Sequence, residues 1–367
     1  MKVILVVGAR PNFMKVGPVY FALKDNSLFT PYLVHTGQHY DVNLSKVFFD
    51  HLGFPKPDRY LGVGSGTHGV QTAKIMIQFE KVLFEEKPDA VLVAGDVNST
   101  IACALDAVKM HIPVAHLEAG LRSFDRKMPE EINRILTDSI SQILLTPSPN
   151  GNENLMNEGI SPEKIYFVGN AMIDSLKKHE KEAENSNIIN KLNLEKDGFG
   201  LITLHRPSNV DKVENFKKII KAFSHIQKSL PLIFPIHPRT VKMIKKFSLQ
   251  DEFDRMKNFQ FVEPLGYFDF LKLEKYAKVV LTDSGGIQEE TTVLNVPCLT
   301  IRDNTERPIT ITQGTNKLVG TDTEKIIAET DKILRGNNKK GQIPDKWDGN
   351  TAQRVVKVFK EYLKKSG

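Results

Sequence analysis

Cysteine is scarce here: only Cys103 and Cys298 occur in 367 residues. Two lone cysteines cannot build a disulfide framework or a four-sulfur zinc site. No apolar run approaches the ~18 residues that a bilayer-spanning helix needs. The opening stretch, Met1 to Gly8, carries one lysine and no small-residue cleavage site after it. It reads as a buried strand rather than a signal peptide, and the expected location is the cytoplasm. The dinucleotide fingerprint GxGxxG is missing, as is the GxxxxGK[ST] phosphate loop. Internal repeats and low-complexity segments are missing too.

What is present is the composition of a soluble globular chain, 40% hydrophobic and 26% charged, with a net charge of +6. The basic surplus is spread thinly, densest at Lys217-Lys218, Lys245-Lys246, Lys339-Lys340 and Lys364-Lys365. Such pairs on helical segments read as solvated faces, so nucleic acid is not an expected partner. The length points to two domains, each of roughly 100–200 residues.

Short apolar runs alternate with longer helical patterns along most of the chain. Strands are expected at 3–7, 32–35, 90–95, 114–118, 143–146 and 165–168, with helices at 70–86, 99–110 and 130–142. Strands this apolar, separated by amphipathic helices, indicate a parallel sheet covered on both faces. The polar stretch from Lys177 to Lys196 reads as an exposed helical connector. Beyond it, strands are expected at 201–205, 232–237, 260–262, 279–283 and 297–301. Helices are expected at 213–228, 240–247, 268–276, 286–294 and 323–334, and a last one at 351–364. The fold class is therefore α/β, with two doubly wound Rossmann-like domains whose sheets present their carboxyl ends to a shared cleft. The first domain is assigned to residues 1–172 and the second to 173–350, with the terminal helix, 351–367, expected to pack back onto the first.

Chemistry-bearing residues collect where expected strands end. Gly8-Ala9-Arg10-Pro11-Asn12-Phe13-Met14-Lys15 follows the first strand, where free amides and the helix dipole favour anions. Gly95-Asp96-Val97-Asn98-Ser99-Thr100 opens another helix, and Asp96 there also suits an ordinary N-cap. His116-Leu117-Glu118-Ala119-Gly120-Leu121-Arg122-Ser123 puts a polar His-x-Glu at an apolar strand end. The Cys-x-x-Cys that a zinc deaminase requires beside His-x-Glu does not occur. Pro129-Glu130-Glu131-Ile132-Asn133-Arg134 starts a helix with two carboxylates in its first turn. Three sheet-edge acids in one half of the chain exceed what capping requires.

In the second half, Leu204-His205-Arg206-Pro207 and Ile236-His237-Pro238-Arg239 end two strands. Asp283-Ser284-Gly285-Gly286-Ile287-Gln288-Glu289-Glu290 is a small-residue turn into a helix whose amides suit a phosphate. Glu290 is placed to accept from ribose hydroxyls. Arg302-Asp303-Asn304-Thr305-Glu306-Arg307-Pro308 adds two guanidinium forks suited to a pyrophosphate.

GARPNFMK, GDVNST, HLEAGLRS, PEEINR, the His205 strand end, LTDSGGIQEE and RDNTERP occur here in the order seen in UDP-N-acetylglucosamine 2-epimerases. The chain resembles the non-hydrolysing branch of that family. The resemblance implies the glycosyltransferase-B fold and a reaction without nicotinamide, metal or other cofactor. UDP would leave C1 as the C2 proton is lost, giving 2-acetamidoglucal. Readdition with a proton on the other face would give UDP-N-acetylmannosamine, for surface polysaccharide synthesis. By position, the resemblance makes Asp96, Glu118, Glu130, Arg134 and His205 catalytic, without saying which acid is the base. It makes Arg10, Lys15, Ser284, Gly285, Gly286, Glu290 and Arg307 the UDP-binding set and sets Phe270 near the uracil. It also implies a homodimer, with UDP-N-acetylglucosamine and UDP as ligands and no membrane partner. Bacterial members often bind a second, activating substrate molecule. Here the corresponding positions, Gln38, His39, Lys74, Arg206 and His237, imply a degraded version of that site, since Tyr40 and Lys74 each stand where an arginine is expected.

Two enzyme rivals remain: a hydrolysing epimerase that releases N-acetylmannosamine and UDP, and a UDP-sugar glycosyltransferase of the same fold. The short 124–128 loop favours the non-hydrolysing type, and the first-half acids disfavour a transferase. A sugar-nucleotide binder without catalysis would gain nothing from three carboxylates beside an anionic ligand.

Overall fold

The computed structural model describes residues 1–37, 53–54 and 56–366, and its chain divides into two compact units. The first comprises Met1–Lys178 and Asp345–Gly367, the second His179–Pro344.

Among the described residues, the sheet of the first unit has seven strands: β1 (Lys2–Val7), β2 (Thr30–His35), β3 (Arg59–Tyr60), β4 (Ala90–Ala94), β5 (Val114–Leu117), β6 (Ile143–Thr146) and β7 (Ile165–Phe167). They are ordered β3-β2-β1-β4-β5-β6-β7 with parallel pairing throughout. All of β4, β5 and β6 is buried, on both faces, because crossover helices cover each side of a parallel sheet. One core cluster joins Ile4, Val6, Ile75, Phe79, Val91, Val93 and Val114. Each such side chain contributes about 1.5–3 kcal/mol on burial.

The terminal segment completes this unit. Trp347 is buried and donates from its indole N–H to the Pro147 carbonyl at 2.9 Å. The amides of Thr351 and Ala352 donate to Asp174, which thereby caps the helix Thr351–Ser366.

The second unit repeats the design with β8 (Gly200–Thr203), β9 (Leu232–Pro235), β10 (Phe259–Val262), β11 (Val279–Thr282), β12 (Cys298–Thr300) and β13 (Asn316–Leu318). Their order is β10-β9-β8-β11-β12-β13, again parallel. Phe216, Phe223 and Phe234 have no exposure and anchor its main core.

Two details depart from the sequence reading. The stretch after Lys177 is not simply exposed: Ile188 and Ile189, on the short helix Ile188–Lys191, are buried against Phe199, Leu201 and Leu273. Two adjacent isoleucines suffice to dock a one-turn helix whose other face is polar. The expected strands after β3, other than 143–146 and 260–262, end one or two residues earlier than the apolar runs indicate, so Gly95, Glu118, His205, His237 and Asp283 all lie just past a strand end.

In each sheet the direction of winding reverses once, between β1 and β4 in the first unit and between β8 and β11 in the second. The loops that leave the carboxyl ends of those two strands diverge, which opens a crevice in each unit at that point.

Candidate functional site

The crevice of the first unit is framed by the turn after β1 and the turn after β4. Asn12 ties the two together. Its Oδ1 accepts from the amides of Gly8 and Ala9, at 3.2 and 2.9 Å, and its Nδ2 donates to the Ala94 carbonyl at 3.0 Å. One turn along the helix Arg10–Lys24, Lys15 is buried and its ammonium pairs with Oε2 of Glu118. Glu118 directly follows β5, is 5% exposed, and has φ at +72°. A glutamate in the left-handed region costs of order 1–3 kcal/mol, a cost seen mainly where a side chain must be aimed. Gly95 also has positive φ, and a Cβ there would stand 3.4 Å from both the Glu118 carboxylate and the Lys15 ammonium. The turn presenting Asp96 is thus packed directly on the Lys15–Glu118 pair.

Asp96 is not a helix cap. The cap position of the helix Asn98–Lys109 is Val97, and the Asp96 carboxylate pairs with Arg134 instead. Arg134 also reaches Oε2 of Glu131, with Nε at 3.0 Å and Nη2 at 2.8 Å. Glu131 is buried and accepts from the Ser123 amide and hydroxyl, both at 3.0 Å, and from the Phe124 amide at 2.8 Å. Burial pushes the Glu131 carboxyl up, yet these amides and Arg134 hold it below its ordinary value. Glu130, on the same first turn of the helix Pro129–Ile140, is half-buried.

Beneath these groups lies a buried ionic chain. His116 Nδ1 meets Asp138 Oδ1 at 2.6 Å and its Nε2 donates to the Gly95 carbonyl at 2.8 Å. Oδ2 of Asp138 accepts from the Gly120 amide at 3.0 Å and pairs with Arg122 at 2.7 Å. Arg122 in turn forks onto Glu158, at 2.7 and 2.6 Å. Two of its hydrogen bonds, from His116 to the Gly95 carbonyl and from the Gly120 amide to Asp138, act on the backbone beside the strand ends that carry Asp96 and Glu118.

In the second unit the crevice between β8 and β11 is organised by Asp283, which has no exposure. It accepts from the amides of His205 and Arg206, at 2.9 and 2.8 Å, and pairs with Nδ1 of His205 at 3.0 Å. Burial raises the Asp283 carboxyl, but the His205 hydrogen bond and charge, with the two amides, keep it below its ordinary value. The His205 and His237 rings stand 5.4 Å apart. Burial, then the His205 and Arg239 charges, lower the His237 pKa.

Ser284 is the cap residue of the helix Gly285–Leu294, with Gly285 and Gly286 in its first turn. A Cβ on Gly285 would lie 2.6 Å from the Arg307 guanidinium, so only glycine lets that cation sit on the helix start. Arg307 is buried and braced by Glu289, at 2.8 Å, and by Glu306. A guanidinium over free helix amides is a site for a diphosphate. Glu290, on the same helix, is 5% exposed and accepts from the Tyr267 hydroxyl at 3.1 Å. Phe270 is half-buried against the Ile188–Phe199–Leu201 core. Arg206 donates from Nε to the Asp283 carbonyl, and Lys74 is exposed on the helix His68–Glu86. Gln38 and His39 lie outside the described residues, as does the side chain of Arg10.

Two acid-bearing strand ends around one lysine, and an arginine seated on a glycine-led helix, are the pattern of a sugar-nucleotide enzyme. A family model described as UDP-N-acetylglucosamine 2-epimerase matches residues 21–360. The chain belongs to the UDP-N-acetylglucosamine 2-epimerase family. It is 46% identical over 365 residues to UDP-N-acetylglucosamine 2-epimerase of Methanocaldococcus jannaschii, spanning 98% of this chain and 99% of that one. It is 43% identical over 330 residues to UDP-2,3-diacetamido-2,3-dideoxy-D-glucuronate 2-epimerase of Pseudomonas aeruginosa, spanning 89% and 90%. A crystal structure of the M. jannaschii UDP-N-acetylglucosamine 2-epimerase in complex with UDP-N-acetylglucosamine and UDP superposes with a TM-score of 0.90. That match has 45% identity and covers 98% of this chain and 100% of the other.

Four residues with no role assigned from sequence stand out in this member of the 2-epimerase family: Asn12, Glu131, Asp138 and Asp283. Glu131 had a legible signal, because Glu131, Arg134 and Asp138 fall at i, i+3 and i+7 and so form a buried polar stripe. Asp283 had none, since an aspartate before a helix reads first as a cap.

Proposed function

We propose that this chain inverts C2 of UDP-N-acetylglucosamine to give UDP-N-acetylmannosamine, reversibly and without net hydrolysis. The observation that carries the reading is Glu118, a buried carboxylate held at positive φ and salt-bridged to Lys15 beside the Asp96–Arg134 pair. The relatives' names and the ligands of the M. jannaschii structure point to the same substrate.

The chemistry proceeds in two halves. A base removes the C2 proton as the C1–O bond breaks, so the electron pair of the C–H bond becomes the C1–C2 double bond of 2-acetamidoglucal and UDP departs. A proton then reaches the opposite face of C2 while the UDP oxygen re-forms its bond to C1. The C2 proton is weakly acidic, so the base requires exact placement and the departing diphosphate strong stabilisation. Asp96, Glu118 and Glu130 are the candidate acids and bases, with Arg134 fixing Asp96. The Ser284 hydroxyl and the helix amides at Gly285 and Gly286, with Arg307, take the diphosphate charge. Lys15 joins that charge balance through Glu118, Glu290 takes the ribose, and His205, aimed by Asp283, faces the leaving group. Arg10 and Phe270 complete the UDP set, at a phosphate and near the uracil.

Proton NMR of the enzyme with UDP-N-acetylglucosamine in D₂O tests this. UDP-N-acetylmannosamine carrying deuterium at C2 supports it. Free N-acetylmannosamine with UDP moves the chain to the hydrolysing branch, and no exchange with UDP still bound overturns catalysis. The P. aeruginosa relative makes the diacetamido glucuronate nucleotide the comparison substrate, and faster turnover of it would replace the N-acetylglucosamine reading.

A further inference from the structure

The second unit buries a carboxyl group that nothing above employs. Glu274 lies on the helix Tyr267–Tyr276, has no exposure, and among the described residues no N–H or hydroxyl donor reaches either of its carboxyl oxygens. An ionised carboxylate in such a place carries a large desolvation cost with nothing to offset it. Its own helix and the helix of Glu290 both contribute to one apolar cluster, through Leu273 and the cap residue Ala277 of the first and Ile287 of the second.

The charged neighbour is Glu290, from the helix Gly285–Leu294. Two carboxyl groups buried against each other cannot both be ionised, so the pair shares a proton. Burial first, then the charge of Glu290 and a hydrogen bond to it, raise Glu274 well above the ordinary carboxyl range. The other titratable groups that face it do not supply a cation. Tyr267, on its own helix, donates to Glu290, and Cys298, on β12, has its thiol pushed up to about 12 by burial. The adjacent Lys275 is engaged with Glu180 and Glu184.

We propose that Glu274 is a positioning residue: a neutral carboxylic acid that donates its proton to Glu290 and, with the Tyr267 hydroxyl, aims that carboxylate at the hydroxyls of a nucleotide's ribose. The proposal rests on the ribose reading of Glu290. A carboxylate has about four lone-pair directions. Donors on Tyr267 and Glu274 take up two of them and fix the plane of the group. A carboxylate held in one plane suits a vicinal diol, and its side chain has little rotamer freedom left to lose on binding.

Infrared spectra of the full-length protein at neutral pH, with ¹³C-glutamate labelling, test the acid itself. A C=O stretch of a protonated carboxyl is expected in the wild type and in Glu290→Gln, and is lost in Glu274→Gln. A wild type without that band, or a band that survives Glu274→Gln, overturns the proposal. Calorimetry with UDP and 2′,3′-dideoxy-UDP tests the aiming. Glu274→Gln still donates an N–H and is expected to keep UDP affinity. Glu274→Met cannot donate and is expected to lose on the order of tenfold for UDP and almost nothing for the dideoxy analogue. In turnover, KM rises in the methionine variant while kcat changes little. Wild-type UDP affinity in folded Glu274→Met overturns the positioning role. If Glu290→Gln alone leaves the preference for UDP over the dideoxy analogue intact, the ribose reading fails, whatever the infrared band shows.

Discussion

The Nε2 of His116 donates to the Gly95 carbonyl at 2.8 Å, tying the strand end that leads to Glu118 to the turn that presents Asp96. With Nδ1 facing Asp138 and Nε2 facing a carbonyl, both ring nitrogens act as donors. Asp138 is the counter-charge. Asp138→Asn is expected to destabilise the protein by about 3–5 kcal/mol, because it leaves His116 and Arg122 buried without their partner. Urea unfolding at neutral pH measures the loss, and a midpoint unchanged from wild type would show that the network is not needed for stability. Burial acts to raise the Asp138 carboxyl, but His116 and Arg122 hold it below its ordinary value. Its contribution is therefore fully present above ~3.9, the unfolded carboxyl pKa, and is lost as pH falls through the depressed folded value.

Asp106 has the opposite sign. Its Oδ2 is buried without a partner, and burial, with the charge of Glu80, raises its pKa to about 7. The folded state binds this proton more tightly than the unfolded chain. Stability from this group is full below ~3.9 and falls as pH rises from there to about 7. Asp106→Asn removes that slope. The difference in unfolding free energy between variant and wild type should grow in the variant's favour from pH 5 to pH 8, and a difference independent of pH would refute the assignment.

Glu118→Gln keeps the shape of the side chain but removes its charge and basicity. Turnover should fall by at least ~100-fold, the usual weight of a general acid or base. UDP affinity should stay within about threefold, since Glu118 is assigned to proton transfer and the diphosphate chiefly to Arg307 and the helix amides. Wild-type turnover in the NMR assay would remove Glu118 from the mechanism.

Arg307→Ala should weaken UDP binding by roughly 10- to 100-fold, the weight of a charged hydrogen-bonding group at about 1.5–3 kcal/mol. Gly285→Ala should reproduce much of that loss without touching the charge, because its new Cβ would occupy the guanidinium's position, 2.6 Å away. Calorimetry on both variants checks the pair. Unchanged affinity in Arg307→Ala sinks the diphosphate assignment. A loss in Arg307→Ala alone means that the guanidinium has room to shift.

Much of this protein was legible in one dimension. Apolar runs of four to six residues between amphipathic helices can only be buried on both faces, so the parallel α/β class follows from pattern alone. The motif strings likewise located the turns after β1, β4, β5, β8 and β11, because only strand ends present free backbone and polar side chains together. Two short strands went unseen, since Arg59–Tyr60 and Asn316–Leu318 are too short and too polar for a period-two signal.

Tertiary structure decided the partners. Asp96 suited both a cap and a catalytic acid in sequence, and in the structure Arg134, 38 residues away, takes its carboxylate. Lys15 was assigned to UDP from sequence, and in the structure its ammonium pairs with Glu118, 103 residues away. Glu274 is one more charged residue on a helix until β12 and the helix Gly285–Leu294 close over it. Local sequence determines which groups sit at a strand end, through pattern and propensity. Which of them share a proton or an ion pair depends on contacts between chain segments far apart in sequence, and burial sets the strength of those pairs.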